Sequence, residues 1–420
     1  MAGLSRRAFL ATTTALAGSF ALPNDLLARS LAAPLTPSGA PSTLQQTIRL
    51  SQTANQQYRN LVAAPGEPYI VRTDLLGQQP NPKRAAARRS LAYLGHFSDI
   101  HIVDAQSPGR LEPLIAVAAS FIDASRPQDT MTVQVLAQMV EAVDALSTSP
   151  LTGAPMNAAL NTGDSADSRN SLELQWCIDM LDGRSVVPNS GKRGEYQGVQ
   201  VWDEADYVYH PDNPGLNEFG TRGFPAVPGV LQAAVDQNVE SVGLRVPWFT
   251  VYGNHDTLFM GNIQVESALA SWAINDRKSS LWPATVNLMA NWWASNSSMF
   301  QQLVNTIRAR SEFFAGVHTV TANPERKIFD QAGFMQAHLK SPATPGPVGH
   351  GFTQQNVDTG QTWWKTDVTD WLRVFGLDTC NQVTGADGAV PQDQFDWLRS
   401  ELEQAQAEKK LAIVCSHHNS

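Results

Sequence analysis

Four apolar runs in this chain end abruptly in Asp, His or Asn, and that recurrence constrains the fold more than any other feature. Pro247-Trp248-Phe249-Thr250-Val251-Tyr252 runs into Gly253-Asn254-His255-Asp256. Leu91-Ala92-Tyr93-Leu94 leads to Phe97-Ser98-Asp99-Ile100-His101, and Ala158-Ala159-Leu160 to Asn161-Thr162-Gly163-Asp164. Leu411-Ala412-Ile413-Val414-Cys415 delivers Ser416-His417-His418-Asn419. Short apolar, aromatic and β-branched runs read as buried strands. The loop after such a strand is where α/β folds place chemistry. A lone Gly-Asn is ordinary turn punctuation. Four such runs together predict an α/β fold that gathers carboxylates, imidazoles and an amide at strand ends.

The length of 420 residues exceeds the need of one compact domain, so the chain is two domains or one with large insertions. Hydrophobic residues at 42% and charged residues at 16% are a globular balance, which excludes disordered and fibrous classes. Lys and Arg total 30 against 39 Asp and Glu, a net charge of -9, which disfavours a nucleic-acid duplex as partner. Cys177, Cys380 and Cys415 form neither a disulfide framework nor a zinc ribbon. Cys415 reads as a small buried residue, and a Cys177–Cys380 disulfide is left open.

Residues 1–33 read as an export signal. Ser5-Arg6-Arg7-Ala8-Phe9-Leu10 resembles the twin-arginine motif, and a mildly apolar segment from Ala11 to Leu22 follows before Pro23. The segment is too short and polar to span a bilayer. Small residues around Ser30 to Ala33 suggest cleavage. The expectation is a partnership with the twin-arginine export machinery, no transmembrane segment in the mature form, and an extracellular or cell-envelope location.

Residues 34–90 read as a linker and N-terminal extension, with Lys83, Arg84, Arg88 and Arg89 as a solvated basic cluster. Residues 91–420 form the main domain. Helical spacing of Val133, Leu136, Val140, Val143 and Leu146 predicts a helix over Met131–Leu146. A second helix starts at Ser171 as N-cap. Residues 183–245 lose helical periodicity and gain Gly, Pro and aromatics, so they read as an insertion. Residues 257–370 are a second excursion, rich in Trp and with helical patterning around Met299–Phe314; its aromatics read as core. Trp371–Leu377 is strand-like. A helix begins near Pro391 with Phe395, Leu398 and Leu402 as its stripe.

The order Asp-x-His, Gly-Asp, Gly-Asn-His-Asp and a late His pair resembles the calcineurin-like metallophosphoesterase superfamily. With the signal, it looks like an exported actinobacterial branch of unknown substrate. The resemblance implies two packed, mixed β-sheets flanked by helices, with long irregular insertions. It also implies a centre of two divalent or trivalent metal ions (Fe, Mn or Zn) that hydrolyses phosphate mono- or diesters with a water activated between them. Asp99 and His101 would hold the first metal and Asp164 would bridge. Asn254 and His417 would hold the second, with His418 the alternative. His255 would be no ligand but the general acid or hydrogen-bond donor at the leaving oxygen. Asp256 would orient His255 or cap a turn. Asp104 and Asp167 would support the site or be plain loop acids. Arg110 and Asn170 could meet a phosphate, though surface roles are the plainer reading for both.

The family usually ends in Gly-His-x-His, which does not occur after the His pair. The expectation is therefore a C-terminally incomplete chain that binds metal poorly and hydrolyses little. The rival expectation is a catalytically inactive relative that binds a metal or a partner. A peptidase or amidase lacks support, since neither His-Glu-x-x-His nor Gly-x-Ser-x-Gly is present.

Overall fold

A computed structural model describes residues 38–419, apart from 56–57, 68–69, 84–89, 116–118, 263, 265–266, 282–317, 343 and 382–384. The export signal, most of the basic cluster and the helical pattern at 299–314 lie outside the described residues.

The chain is mixed α/β, with several small sheets and helices. Strands β1 (Gln46–Asn55) and β2 (Tyr58–Pro65) pair antiparallel within the stretch read as linker and extension. Ile48 and Leu50 lie opposite Ala63 and Leu61, an alternation that gives one face of this ribbon an apolar stripe.

Strands β3 (Leu94–Phe97), β4 (Ala158–Asn161) and β5 (Trp248–Thr250) form a parallel sheet in that order. Every residue of β4 and β5 is buried, as continuous apolar runs in parallel sheets require. β6 (Arg277–Lys278) and β7 (His318–Thr319) make a two-residue antiparallel pair. β8 (Trp364–Thr369), β9 (Leu372–Gly376) and β10 (Leu411–Cys415) form the other three-stranded sheet, with β9 central, parallel to β10 and antiparallel to β8.

The second excursion was expected to reach residue 370, yet β8 lies inside that range. Lys365 and Asp367 are exposed and Thr366 is half-buried, so β8 shows no apolar run. Trp364 carries its contribution to the core. It is 3% exposed, its ring lies 5.7 Å from that of Phe249, and its Nε1 donates to the Thr250 carbonyl at 2.8 Å. One core therefore takes in Leu160, Phe249, Trp364, Val374 and Cys415 from both sheets.

Helix α1 (Thr132–Ala145) buries Val133, Leu136 and Val140 of the expected stripe together with Ala137, leaves Val143 half-buried, and ends before Leu146, which is exposed. Helix α2 (Ser171–Leu181) is capped by Asn170 rather than Ser171. The Asn170 side chain accepts from Leu172 N at 2.9 Å and Glu173 completes a capping box. α3 (Gln331–Leu339) occupies the second excursion, and α4 (Gln392–Ala407) follows Pro391 with Phe395 and Leu398 buried. All three cysteines are free and buried, so no Cys177–Cys380 disulfide forms. No helix among the described residues is long and apolar enough to cross a membrane.

Candidate metal centre

Parallel pairing points the C-terminal ends of β3, β4 and β5 the same way, and the pairing continues into the loops. Asp99 N donates to the Gly163 carbonyl at 3.2 Å and His101 N to that of Asp164 at 2.8 Å. Gly163 and Gly253 meet back to back. Gly163 has φ 101°, and a Cβ on it would lie 2.6 Å from Gly253 N; a Cβ on Gly253 would strike the Asp164 carboxylate. Glycine at both positions lets the two loops approach this closely. Asp256 fastens them: Oδ1 accepts from Ala166 N at 3.0 Å, and Oδ2 from Ser165 N at 3.2 Å and Gly253 N at 3.0 Å.

Asp99, His101 and Asp164 hold left-handed backbone, with φ of 55°, 47° and 56°. Such conformations cost non-glycine residues on the order of 1–3 kcal/mol each, and persist where surrounding structure overrides them.

The histidines are oriented by what their Nδ1 atoms face. His101 Nδ1 lies 3.0 Å from Asp167 Oδ1, His417 Nδ1 2.9 Å from the Thr162 carbonyl, and His255 Nδ1 2.5 Å from the Asp167 carbonyl. Each partner is an acceptor, so each Nδ1 carries the hydrogen and each neutral ring keeps its Nε2 lone pair free. Those lone pairs meet further acceptors. His101 Nε2 is 3.4 Å from Asp164 Oδ2, and His417 Nε2 is 3.5 Å from the same oxygen. His417 Nε2 also lies 2.8 Å from Asn254 Oδ1. The Asn254 amide is turned that way because its Nδ2 donates to the Gly261 carbonyl at 3.1 Å. Acceptors facing acceptors need a proton or a cation between them. Among the described residues, two groups have the spacing to hold a metal: His101, Asp164 and His255, and Asp99, Asp164 and His417. Within each, the ligand atoms lie within 4.8 Å of one another.

Charge crowding shows in the acidities. Burial first, then the charge of Asp256, pushes Asp164 up to about 7 against the opposing pull of His417 and His101. Burial alone would lower His101, but Asp167, Asp99 and Asp164 raise it to about 10. Asp99 is lowered, chiefly by its hydrogen bond to His101. His255 is depressed to about 4, mainly by burial, so it is neutral at pH 7. Divalent cations would take the place of the protons this cluster holds.

The structure brings together Asp99, His101, Asp164, Asn254, His255 and His417. His418 turns away, with Nδ1 2.8 Å from the Thr379 hydroxyl and Nε2 2.9 Å from the Ala386 carbonyl. Asp256 locks two loops through backbone N–H groups instead of orienting the His255 ring. Asp104 ties the two excursions together beneath the loops: Oδ2 pairs with Arg326 Nε at 3.1 Å and Oδ1 accepts from the Ser190 hydroxyl at 2.5 Å. Asn170 caps α2. Arg110 is buried, with Nη1 2.6 Å from Asp167 Oδ2 and Nη2 2.8 Å from Asp129 Oδ2.

Asp167 is the larger surprise. It is fully buried and is held by Arg110, Arg126 and His101 at once, which keeps it well below the usual carboxylate range despite burial. The sequence leaves Asp167 between a support for the site and a plain loop acid, and nothing in it points to the two arginines that hold it. Arg126 stands in an aperiodic stretch before Pro127 and carries no signal at all. Neither a protein-family model nor a curated protein matches the chain, so the site's chemistry rests on its geometry.

Proposed function

We propose that the protein is a metal-dependent phosphoesterase for phosphate mono- or diesters, with its two three-stranded sheets arranged in the metallophosphoesterase manner. The observation that carries this reading is Asp164 Oδ2, approached by His101 Nε2 and His417 Nε2 at nearly equal distances. One carboxylate between two imidazoles, each backed by a further oxygen donor, is the donor set of a dinuclear centre. Asp99, His101 and Asp164 would hold one ion, and Asp164, Asn254 and His417 the other. Mixed oxygen and imidazole donors fit Fe, Mn or Zn. Bound there, the ions would neutralise phosphoryl charge and lower the pKa of a water that serves as nucleophile.

The chain's own residues do the rest. The Asp167 carbonyl fixes the His255 ring through Nδ1–H and leaves Nε2 to face the site. In the free protein that nitrogen is unprotonated. A bound phosphate anion raises its proton affinity, so that Nε2 can hand a proton to the leaving oxygen. Asp167 Oδ1 holds His101 Nδ1, which presents Nε2 to the ligand cluster.

The test is metal content together with turnover of an aryl phosphate monoester and diester. The parent protein should hold two ions and hydrolyse at least one ester. Asp164→Ala should lose hydrolysis and weaken both ions. An Asp164→Ala protein as active as the parent sinks the two-metal reading. Two retained ions with no turnover would leave the inactive, metal-binding relative.

A further inference from the structure

We infer that Arg126 grips the substrate's phosphoryl group at this centre, an inference that rests on the phosphoesterase reading. An anionic substrate entering a cluster of carboxylates needs a fixed cation beside the metals. The nearby cations are mostly sealed inside the protein. Arg110 is spent on Asp129 and Asp167, Lys278 on Glu112 at 2.7 Å, and Arg326 on Asp104, and the side chains of all three are at most 1% exposed.

Arg126 differs. It faces the same two acids as Arg110, with Nη1 2.9 Å from the fully buried Asp167 Oδ1 and 3.6 Å from Asp129 Oδ1, but its side chain keeps 24% of its surface in solvent. Asp167 Oδ1 also lies 3.0 Å from His101 Nδ1 and 3.7 Å from His255 Nδ1. A single carboxylate oxygen thus separates the guanidinium from a candidate ligand on one side and the candidate proton donor on the other. His101 and His255 are themselves 17% and 15% exposed, so all three side chains stand around one buried anchor and meet solvent. Asp167 stops the guanidinium from swinging free. A guanidinium has five N–H donors in a planar fork, which leaves donors over for a second, bidentate partner. A phosphoryl oxygen pair matches that fork better than it matches a lysine ammonium.

The experiment uses the full chain reconstituted with Mn2+. It reads metal content, kcat and KM for an aryl phosphate, and the Kd of inorganic phosphate by calorimetry. Arg126→Met should keep both ions and raise KM and the phosphate Kd roughly 10- to 100-fold, the loss expected of a charge-assisted bidentate contact. Arg126→Lys, which retains the charge and is the safer variant to fold, should recover part of that loss. Unchanged KM and phosphate Kd in Arg126→Met overturn the inference. So does a fall in kcat that tracks lost metal at constant KM, since Arg126 would then act only as a support for Asp167. If Asp164→Ala is inactive while Arg126→Met matches the parent, the Arg126 inference fails and the phosphoesterase reading stands. A metal-loaded parent that neither binds phosphate nor hydrolyses esters removes both.

Discussion

At the scale of single residues, the site is ordered by which nitrogen of each imidazole is already committed. His417 and His418 are neighbours with the same side chain, yet the Thr162 carbonyl turns one Nε2 toward Asp164 and Asn254 while the other ring is held by Thr379 and Ala386. His417→Ala should therefore lower metal content and activity together. His418→Ala should leave metal content near the parent value, measured on protein purified with metal added back. Equal loss in the two variants would contradict the orientation argued here. His255 poses a different question, because its spacing would also suit a ligand. The proton-donor role predicts that His255→Ala lowers kcat by roughly 10²–10⁴-fold with metal retained, and by less for a substrate with a very good leaving group. Metal lost in proportion to activity would make it a ligand.

At the scale of elements, the parallel sheet positions the candidate ligands, and the glycine pair with Asp256 sets how closely its loops approach. The second excursion adds a separate device behind β5. His350 stacks on Trp248 with ring centroids 3.5 Å apart, and His338 Nδ1 lies 3.0 Å from His350 Nδ1. His350 Nε2 is 3.6 Å from Asp182 Oδ1, which also accepts from Trp248 Nε1 at 3.0 Å; Ser341 and Arg184 face the other oxygen. The two ring nitrogens in contact share one hydrogen, and burial favours the neutral form of both rings. Burial lowers both histidines, His338 the further, with the charge of His350 adding to the effect there. The unfolded chain then binds protons below about pH 6.5 that the folded chain does not. Stability from this pair is complete above that pH and falls as the solution is acidified, by up to about 1.4 kcal/mol per pH unit for each group. Melting temperature measured from pH 7.5 to 5 should drop, and His338→Leu should flatten part of the slope. An identical slope in that variant would assign the acid sensitivity elsewhere.

At the scale of the whole molecule, two buried ion pairs bind the second excursion to the loop that follows β3. Lys278 meets Glu112, and Arg326 meets Asp104. Breaking such pairs costs more than forming them gains, which fixes how that excursion sits against the loop. Export is proposed from the arginine pair Arg6-Arg7 and the mildly apolar segment after it. Replacing both with Lys should trap the precursor in the cytoplasm, scored by fractionation, and unchanged secretion would remove the proposal. The apolar runs foretold β4, β5 and β10 and the polar residues gathered after them, because consecutive apolar side chains mark a strand and its polar terminus stands out against that run; the run at Leu91–Leu94 reaches only the first residue of β3. The stripes of α1 and α4 were legible for the same local reason. β8 was not, since an outer strand with alternate polar residues has no apolar run. Nor were the choice of His417 over His418, the crossing of Asp256 to the Asp164 loop, or the gathering of Arg110, Arg126 and His101 around Asp167. Those depend on contacts between residues 39 to 255 positions apart. Local periodicity reports which side chains leave water, and only the folded chain decides which of them meet.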